Sequence, residues 1–556
     1  MILRHTFLLK LAGALLLVLL ADQLFWLERV GSTIGLFALA MLAVTLVARP
    51  EILRRLASAI AAAAALFFAL ALAWEPGPLT ILYFLAAITL AALLPRTARF
   101  DDAWRWVQRL VVHGLLSPLA LPRDYLILGR ARRRRGPLGL RSKAFVLILP
   151  LTGSILFLSL FAQANPLIGD ALARLAFWPA FDIMTLARFI FWAVILALLW
   201  SVLRPPRVAL GKARPGAGGD VVLPGISIAS VTISLLAFNL IFALQNGLDL
   251  AFLWSGAALP DGMSFAEYAH RGAYPLIATA LLAALFVLVA LRPGSATAAS
   301  RPIRLLVTLW IAQNMLLVAS TMLRTVDYVE AYSLTVLRIA ALIWMGLVAL
   351  GLALICYRLL RGRSGAWLIN ANALAAAIVL AACCWINLGA IAATWNVRHG
   401  REAGGSGASI DLCYLHELGG RALLPLIELE SRPLPDELRE RVRWLRSRLM
   451  DRMEEDQADW HGWIYRDASR LAEAQALVAE RRLPHHRPEP RLCDGRPIPP
   501  PPQRAPDDAP ADDGAAANEA AAAGPADSGA NANALLPATL SPVPKPPEPL
   551  TAGQRR

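Results

Sequence analysis

The sequence predicts an all-α fold: a polytopic helical membrane bundle of about 11 transmembrane helices, then a small extracytoplasmic helical segment and a disordered tail. Three observations carry this. Hydrophobic residues make up 57% of the 556 residues and charged residues only 17%, where soluble domains carry nearer a quarter. The long apolar runs are confined to residues 1–397, so two environments are implied. Lysine and arginine gather in alternate loops between those runs, as they do when cationic loops stay in the cytoplasm.

A helix needs about 20 apolar residues to cross the hydrocarbon core. Runs of that kind lie near residues 7–27, 32–48, 57–74, 77–95, 144–163, 182–203, 226–246, 274–292, 304–323, 335–357 and 368–392. The first follows Arg4 and Lys10 and resembles a secretory signal, but it lacks a small-x-small cleavage site and a second run follows at once, so it reads as a retained helix. The loop after the fourth run carries twelve cations, whereas EPGP on the opposite side carries none. This alternation places the N-terminus in the cytoplasm and the C-terminus outside a bacterial inner membrane.

The chain divides into an N-terminal four-helix membrane part (1–95), a cytoplasmic amphipathic and polybasic loop (96–143) and a main seven-helix membrane domain (144–397). An extracytoplasmic helical segment (398–483) and a Pro/Ala-rich tail (484–556) follow. Within the loop, 102–121 reads as an amphipathic helix, with Trp104, Trp106 and Val107 beside Arg105 and Arg109. The run from Arg130 to Lys143 reads as a patch for anionic lipid headgroups or as an orientation signal. The net charge of +14 does not indicate nucleic acid, because the arginines are scattered through short loops and form no groove-reading motif.

Beyond the last run, GREAGGSGAS reads as a flexible linker. Leu438, Val442, Leu445, Leu449 and Met453, then Trp460, Ile464, Ala468, Leu471 and Val478, recur at helical spacing as packing stripes. Segment 410–483 could dock onto the membrane domain or contact an envelope protein. From about residue 484 there is too little apolar surface to offset chain entropy. Cys356, Cys383 and Cys384 fall in apolar spans and read as small buried residues; Cys413 and Cys493 fall outside, where a disulfide between them can persist. A zinc site from Cys413, His416, His485 and His486 matches no strong spacing pattern, and the sequence calls for no metal or cofactor.

Ionisable residues at membrane depth either line a cavity or pair with one another. Here they cluster toward the outer ends of the later spans: Asp249, then Glu267, His270 and Arg271, then Arg324, Asp327, Tyr328 and Arg338. Asn239, Gln245, Asn246, Gln313 and Asn314 accompany them. One reading is structural, with Arg324 held by Asp327 on its own helix. The other is an outward polar pocket in which Arg271, Arg324 and Arg338 receive an anion and Asp249, Glu267 or Asp327 balances charge or exchanges protons. Walker, HExxH and GxSxG signatures are absent.

The stretches FAEYAHRGAYPLIATALL and TLWIAQNMLLVASTMLRTVDYVEAYSLTVLRIAALIW, with TWNV and IDLCYLHEL after the last run, resemble a bacterial family of multi-pass membrane proteins, domain of unknown function 4173. That resemblance covers about 140–430 and implies an inner-membrane protein without assigning an activity. The expectation is a non-enzymatic transport or small-ligand-sensing module. The alternatives are an enzyme acting on a lipid or envelope precursor at the outer leaflet, and a scaffold for envelope assembly.

Overall fold

A computed structural model describes residues 2–97, 102–133, 183–206, 227–254, 300–486 and 489–498, with isolated residues between 153 and 165 and between 279 and 286. Its described helices are α1 (Ile2–Phe25), α2 (Thr33–Ala48), α3 (Leu56–Trp74), α4 (Pro78–Leu93) and α5 (Ala103–Arg133). Next come α6 (Ile183–Leu203), α7 (Ile228–Asp249), α8 (Arg301–Tyr332), α9 (Val336–Arg361) and α10 (Gly365–Cys383). The C-terminal ones are α11 (Leu388–His399), α12 (Leu412–Glu417), α13 (Leu423–Glu430), α14 (Asp436–Ala458) and α15 (Tyr465–Glu480). Among the described residues the sole β pairing is an isolated bridge between Arg491 and Pro497.

Eight described helices are long and apolar enough to cross a membrane, and α2 is a shorter apolar one. The protein is an all-α polytopic membrane bundle. The runs expected at 144–163 and 274–292 lie outside the described residues. The run expected at 368–392 is two helices: α10 stops at Cys383, and Asn387 caps α11 by accepting from the Ala390 amide at 2.8 Å.

Two larger apolar cores stand out among the described residues of the bundle. The first joins α1 to α4 with α6, through Leu17, Met41, Phe68, Ile88 and Leu199. The second joins α7 to α10, through Leu235, Val307, Trp310, Met345 and Leu368. Helix α6, which lies beyond the boundary expected after residue 95, packs with the N-terminal helices. It runs antiparallel to α1, where Arg188 Nε donates to Asp22 at 2.8 Å and Trp200 meets Phe7 at 5.7 Å. Helices α2 and α3 cross closely at Gly35, where a Cβ would fall 2.2 Å from the Ala73 nitrogen.

Helices α11 to α15 form a module with its own core of Val397, Leu415, Leu426, Val442, Leu445 and Leu449. The α14 stripe packs inward as its spacing predicts. Trp460 instead stays exposed, because α15 starts only at Tyr465 and Trp460 sits in the turn before it. The expected linker is an ordered turn: Gly405 and Gly407 amides donate to Gly400 and His399 carbonyls at 3.0 and 2.9 Å. The segment expected to be disordered from residue 484 is held to α14 as far as Ile498. Trp444 Nε1 donates to the Glu489 carbonyl at 2.9 Å, Arg441 binds Asp494 at 3.0 Å, and Cys413 and Cys493 form a disulfide. Polar and covalent ties replace the apolar burial that the segment lacks. The remaining tail, 499–556, lies outside the described residues.

The module sits on one end of the bundle. Gly31 makes room for it, since a Cβ there would fall 2.4 Å from the Trp463 carbonyl oxygen, and Ser32 donates its amide to that carbonyl at 2.8 Å. Glu75, between α3 and α4, accepts from Asn387 at 2.7 Å and Arg466 at 2.9 Å, with Arg421 3.5 Å away. The opposite end holds the arginines Arg49, Arg96 and Arg204.

Candidate functional site

Helices α7 and α8 lie side by side and run parallel. Asn239 meets the Leu306 carbonyl at 3.1 Å, Asn246 the Gln313 carbonyl at 3.1 Å, and Trp254 Nε1 the Ser320 hydroxyl at 3.1 Å. Gln313 donates to Asn239 at 3.1 Å. On α7, positions 239, 246 and 249 share a face, and on α8 so do 313, 317, 320 and 324. The polar residues thus form one seam from mid-span toward the module end. Away from water such amides favour partners on the neighbouring helix, and the alternative of leaving them in hydrocarbon is costly.

At the end of this seam Arg324 donates to the Asp249 carboxylate. Asp249 is fully buried and Arg324 only 4% exposed. Gln245 adds a donor to Asp249 at 3.0 Å from the same helix. Removing two charges from water costs several kcal/mol per ion, which their attraction offsets only with good geometry. Spacing along α8 points to Asp327 as the partner of Arg324, but the parallel neighbour brings in a carboxylate 75 residues away.

A second cluster lies where α8 ends. Tyr328 and Tyr332 rings pack at 4.8 Å, and the Arg338 guanidinium lies 4.4 Å over the Tyr328 ring. Arg338 also donates to the Tyr332 and Ser333 carbonyls. Ser333 has φ of 71°, a left-handed conformation that turns the chain sharply into α9. The module holds this turn. Asn396 accepts from the Leu334 amide at 2.6 Å and donates to the Leu334 carbonyl at 2.9 Å, while Tyr414 Oη accepts from the Val336 amide at 2.9 Å.

Of the residues expected in a pocket, the structure brings Asp249 to Arg324 and Tyr328 to Arg338. Asp327 lies on α8 between the two groups. Glu267, His270 and Arg271 lie outside the described residues, as does most of the Arg130–Lys143 run. Cys356, Cys383 and Cys384 are half-buried, not buried. The Cys413 thiol is consumed by its disulfide and is not available to a metal.

The chain belongs to the DUF4153 family. The match to that family model, a domain of unknown function, runs over residues 36–429. It replaces the resemblance to domain of unknown function 4173, and it takes in the α7–α8 seam, the α8–α9 turn and both residues that clamp it. No curated protein and no solved structure matches the chain.

Sequence reading missed three features. One is the Glu75 joint, whose signal is a lone glutamate between two spans. Another is the Asp22–Arg188 pair, in which Trp192 also donates to Asp22 at 2.7 Å. The third is the module's Glu430, buried and bound by Arg446 at 2.7 Å and Arg443 at 3.1 Å. Nothing local distinguishes Arg446 from the half-buried Arg441 and Arg443 or the exposed Arg448 in ERVRWLRSRLM, since its burial depends on α13 packing across it. Glu28, Asp459 and His461 also gather, with one ligand atom of each within 4.8 Å of the others. Asp459 accepts the His461 amide, which holds its carboxyl below the usual range.

Proposed function

We propose that this protein is a non-enzymatic transport or small-ligand-sensing module of a bacterial inner membrane, with its arginine-rich end in the cytoplasm and its C-terminal module outside. The working element of this reading is the α7–α8 seam. The observation that carries it is the fully buried Asp249–Arg324 pair at the module end of that seam. Intramembrane ions are costly and mark ligand or ion paths. A pair between two helices also has two states, closed on itself or opened by a competing anion or proton. The clamp from Asn396 and Tyr414 onto the α8–α9 turn supports sensing, because it couples the module to the helix that carries Arg324. The disulfide supports the outside placement, because such bonds persist in oxidising compartments.

The test uses a deletion strain complemented with wild type, Asp249→Asn or Arg324→Lys at equal membrane abundance. Small molecules are inventoried in cells and in medium. The reading expects a shifted distribution in the deletion strain that wild type restores and Asp249→Asn does not. Arg324→Lys, which keeps the charge, restores it in part. An unchanged distribution with an altered lipid or glycan profile would favour the envelope-enzyme alternative. Loss of co-purifying proteins on removing 410–483 alone would favour the scaffold.

A further inference from the structure

At the end opposite the module, a cavity of about 690 Å³ opens between the end of α4, one face of α5 and the end of α6. Among the described residues, four arginines line it, Arg96, Arg109, Arg123 and Arg204, with one carboxylate, Asp124. That carboxylate is already engaged: Arg204 lies 3.1 Å from it and Trp200 Nε1 donates to it at 3.1 Å. Arg96 donates to the Pro205 carbonyl, which fixes its guanidinium at the rim. Lys10 lies close enough to Arg96 and Arg204 to add to the positive field, while nearby Arg49 is paired with Glu51 at 2.9 Å. The described lining therefore carries an excess of positive charge in a space that takes a small organic anion.

Helix α5 supplies the depth. Trp104, Val107, Val111, Leu115 and Leu119 are all exposed and fall within one third of the helix circumference. Trp106, His113, Ser117 and Ala120 are buried on the opposite side. An exposed apolar stripe backed by a packed face is how an amphipathic helix lies in a bilayer surface, its apolar side in the acyl boundary. Arg109 and Arg123 then stand at headgroup level. Guanidinium is the side chain best matched to phosphate oxygens, because its planar fork binds two of them at once.

We infer that this cavity binds the phosphate ester of an anionic glycerophospholipid headgroup. The shared chemistry is a phosphate ester, and a soluble ester could supply it too; the depth set by α5 favours the lipid.

The test is native mass spectrometry of the full chain in detergent with phosphatidylglycerol, phosphatidylcholine or soluble glycerol 3-phosphate added. Wild type should retain phosphatidylglycerol over phosphatidylcholine. Arg109→Gln with Arg123→Gln should weaken that retention by about twenty-five-fold, since each near-surface cation contributes about fivefold. Arg54→Gln, at an exposed position of the same end, should leave it unchanged. Arg123→Glu alone, in a side chain that is already exposed, keeps the test valid should the double variant elute as misfolded protein. Equal retention of both lipids by wild type, or no loss in either arginine variant, would overturn the site. Glycerol 3-phosphate binding with the same arginine dependence, without retention of phosphatidylglycerol, would overturn the lipid as its source.

Discussion

Asp249 and Arg324 illustrate what single residues disclose. Both stand out in the sequence because charges are rare within apolar runs, but their pairing could not be read there. Spacing along one helix offers Asp327, whereas the actual partner depends on α7 packing parallel to α8, a tertiary fact. The energetics make the pair testable. Removing one partner leaves a buried charge unmatched and should cost about 3–5 kcal/mol, whereas removing both with apolar residues of similar size should cost less. Thermal unfolding in detergent of Asp249→Leu, Arg324→Met and the double variant measures this. A double variant as unstable as the sum of its singles would show that the two side chains do not act as a pair.

At the scale of elements, α5 is the case in which pattern and structure agree best and still differ in meaning. Its amphipathicity is plain in WRWVQRLVVHGLL, and the helix forms over Ala103–Arg133 despite Pro118 and Pro122 within it. Hydropathy does not show which groups the buried face meets. His113 is 3% exposed, and burial, together with the charge of Arg96, lowers its pKa to about 4. A detached helix would titrate near 6.5. Docked α5 thus binds fewer protons than free α5 between those values, so its docking is strongest above about pH 6.5 and weakens as pH falls toward 4. Hydrogen exchange across Ala103–Arg133, corrected for intrinsic rates, should rise between pH 7.5 and about 5 in wild type and far less in His113→Leu. A wild type and variant with the same pH response would assign the effect to another group. The module's helices show the reverse balance. The α14 stripe is legible residue by residue, while the placement of Trp460 and the ties that hold 489–498 depend on partners far along the chain.

For the whole molecule, the apolar runs identify every described span. Helix α5 joins the bundle at the arginine-rich end while α6 starts at the module end, and α7 and α8 run parallel. What hydropathy could not reveal is that α6 packs with α1 to α4 and that the module is seated on the bundle, because both rest on a few polar contacts between distant positions. The proposed sidedness has a direct measurement. Truncations fused to a protein that fluoresces only in the cytosol should glow after residue 206 and stay dark after residue 400. The opposite pattern would place the disulfide-bearing module inside the cell.

The link between Cys413 and Cys493 also orders events in time. Its two sulfurs are 80 positions apart, with α13, α14 and α15 between them. Closure must wait until the ribosome has passed Cys493 and both sulfurs have reached one compartment. Until then α12 holds a lone thiol, open to mispairing with other thiols. On the proposed sidedness, the module's covalent closure is thereby tied to export of Cys493, so a chain cut just before that residue would carry every described span and lack the cross-link.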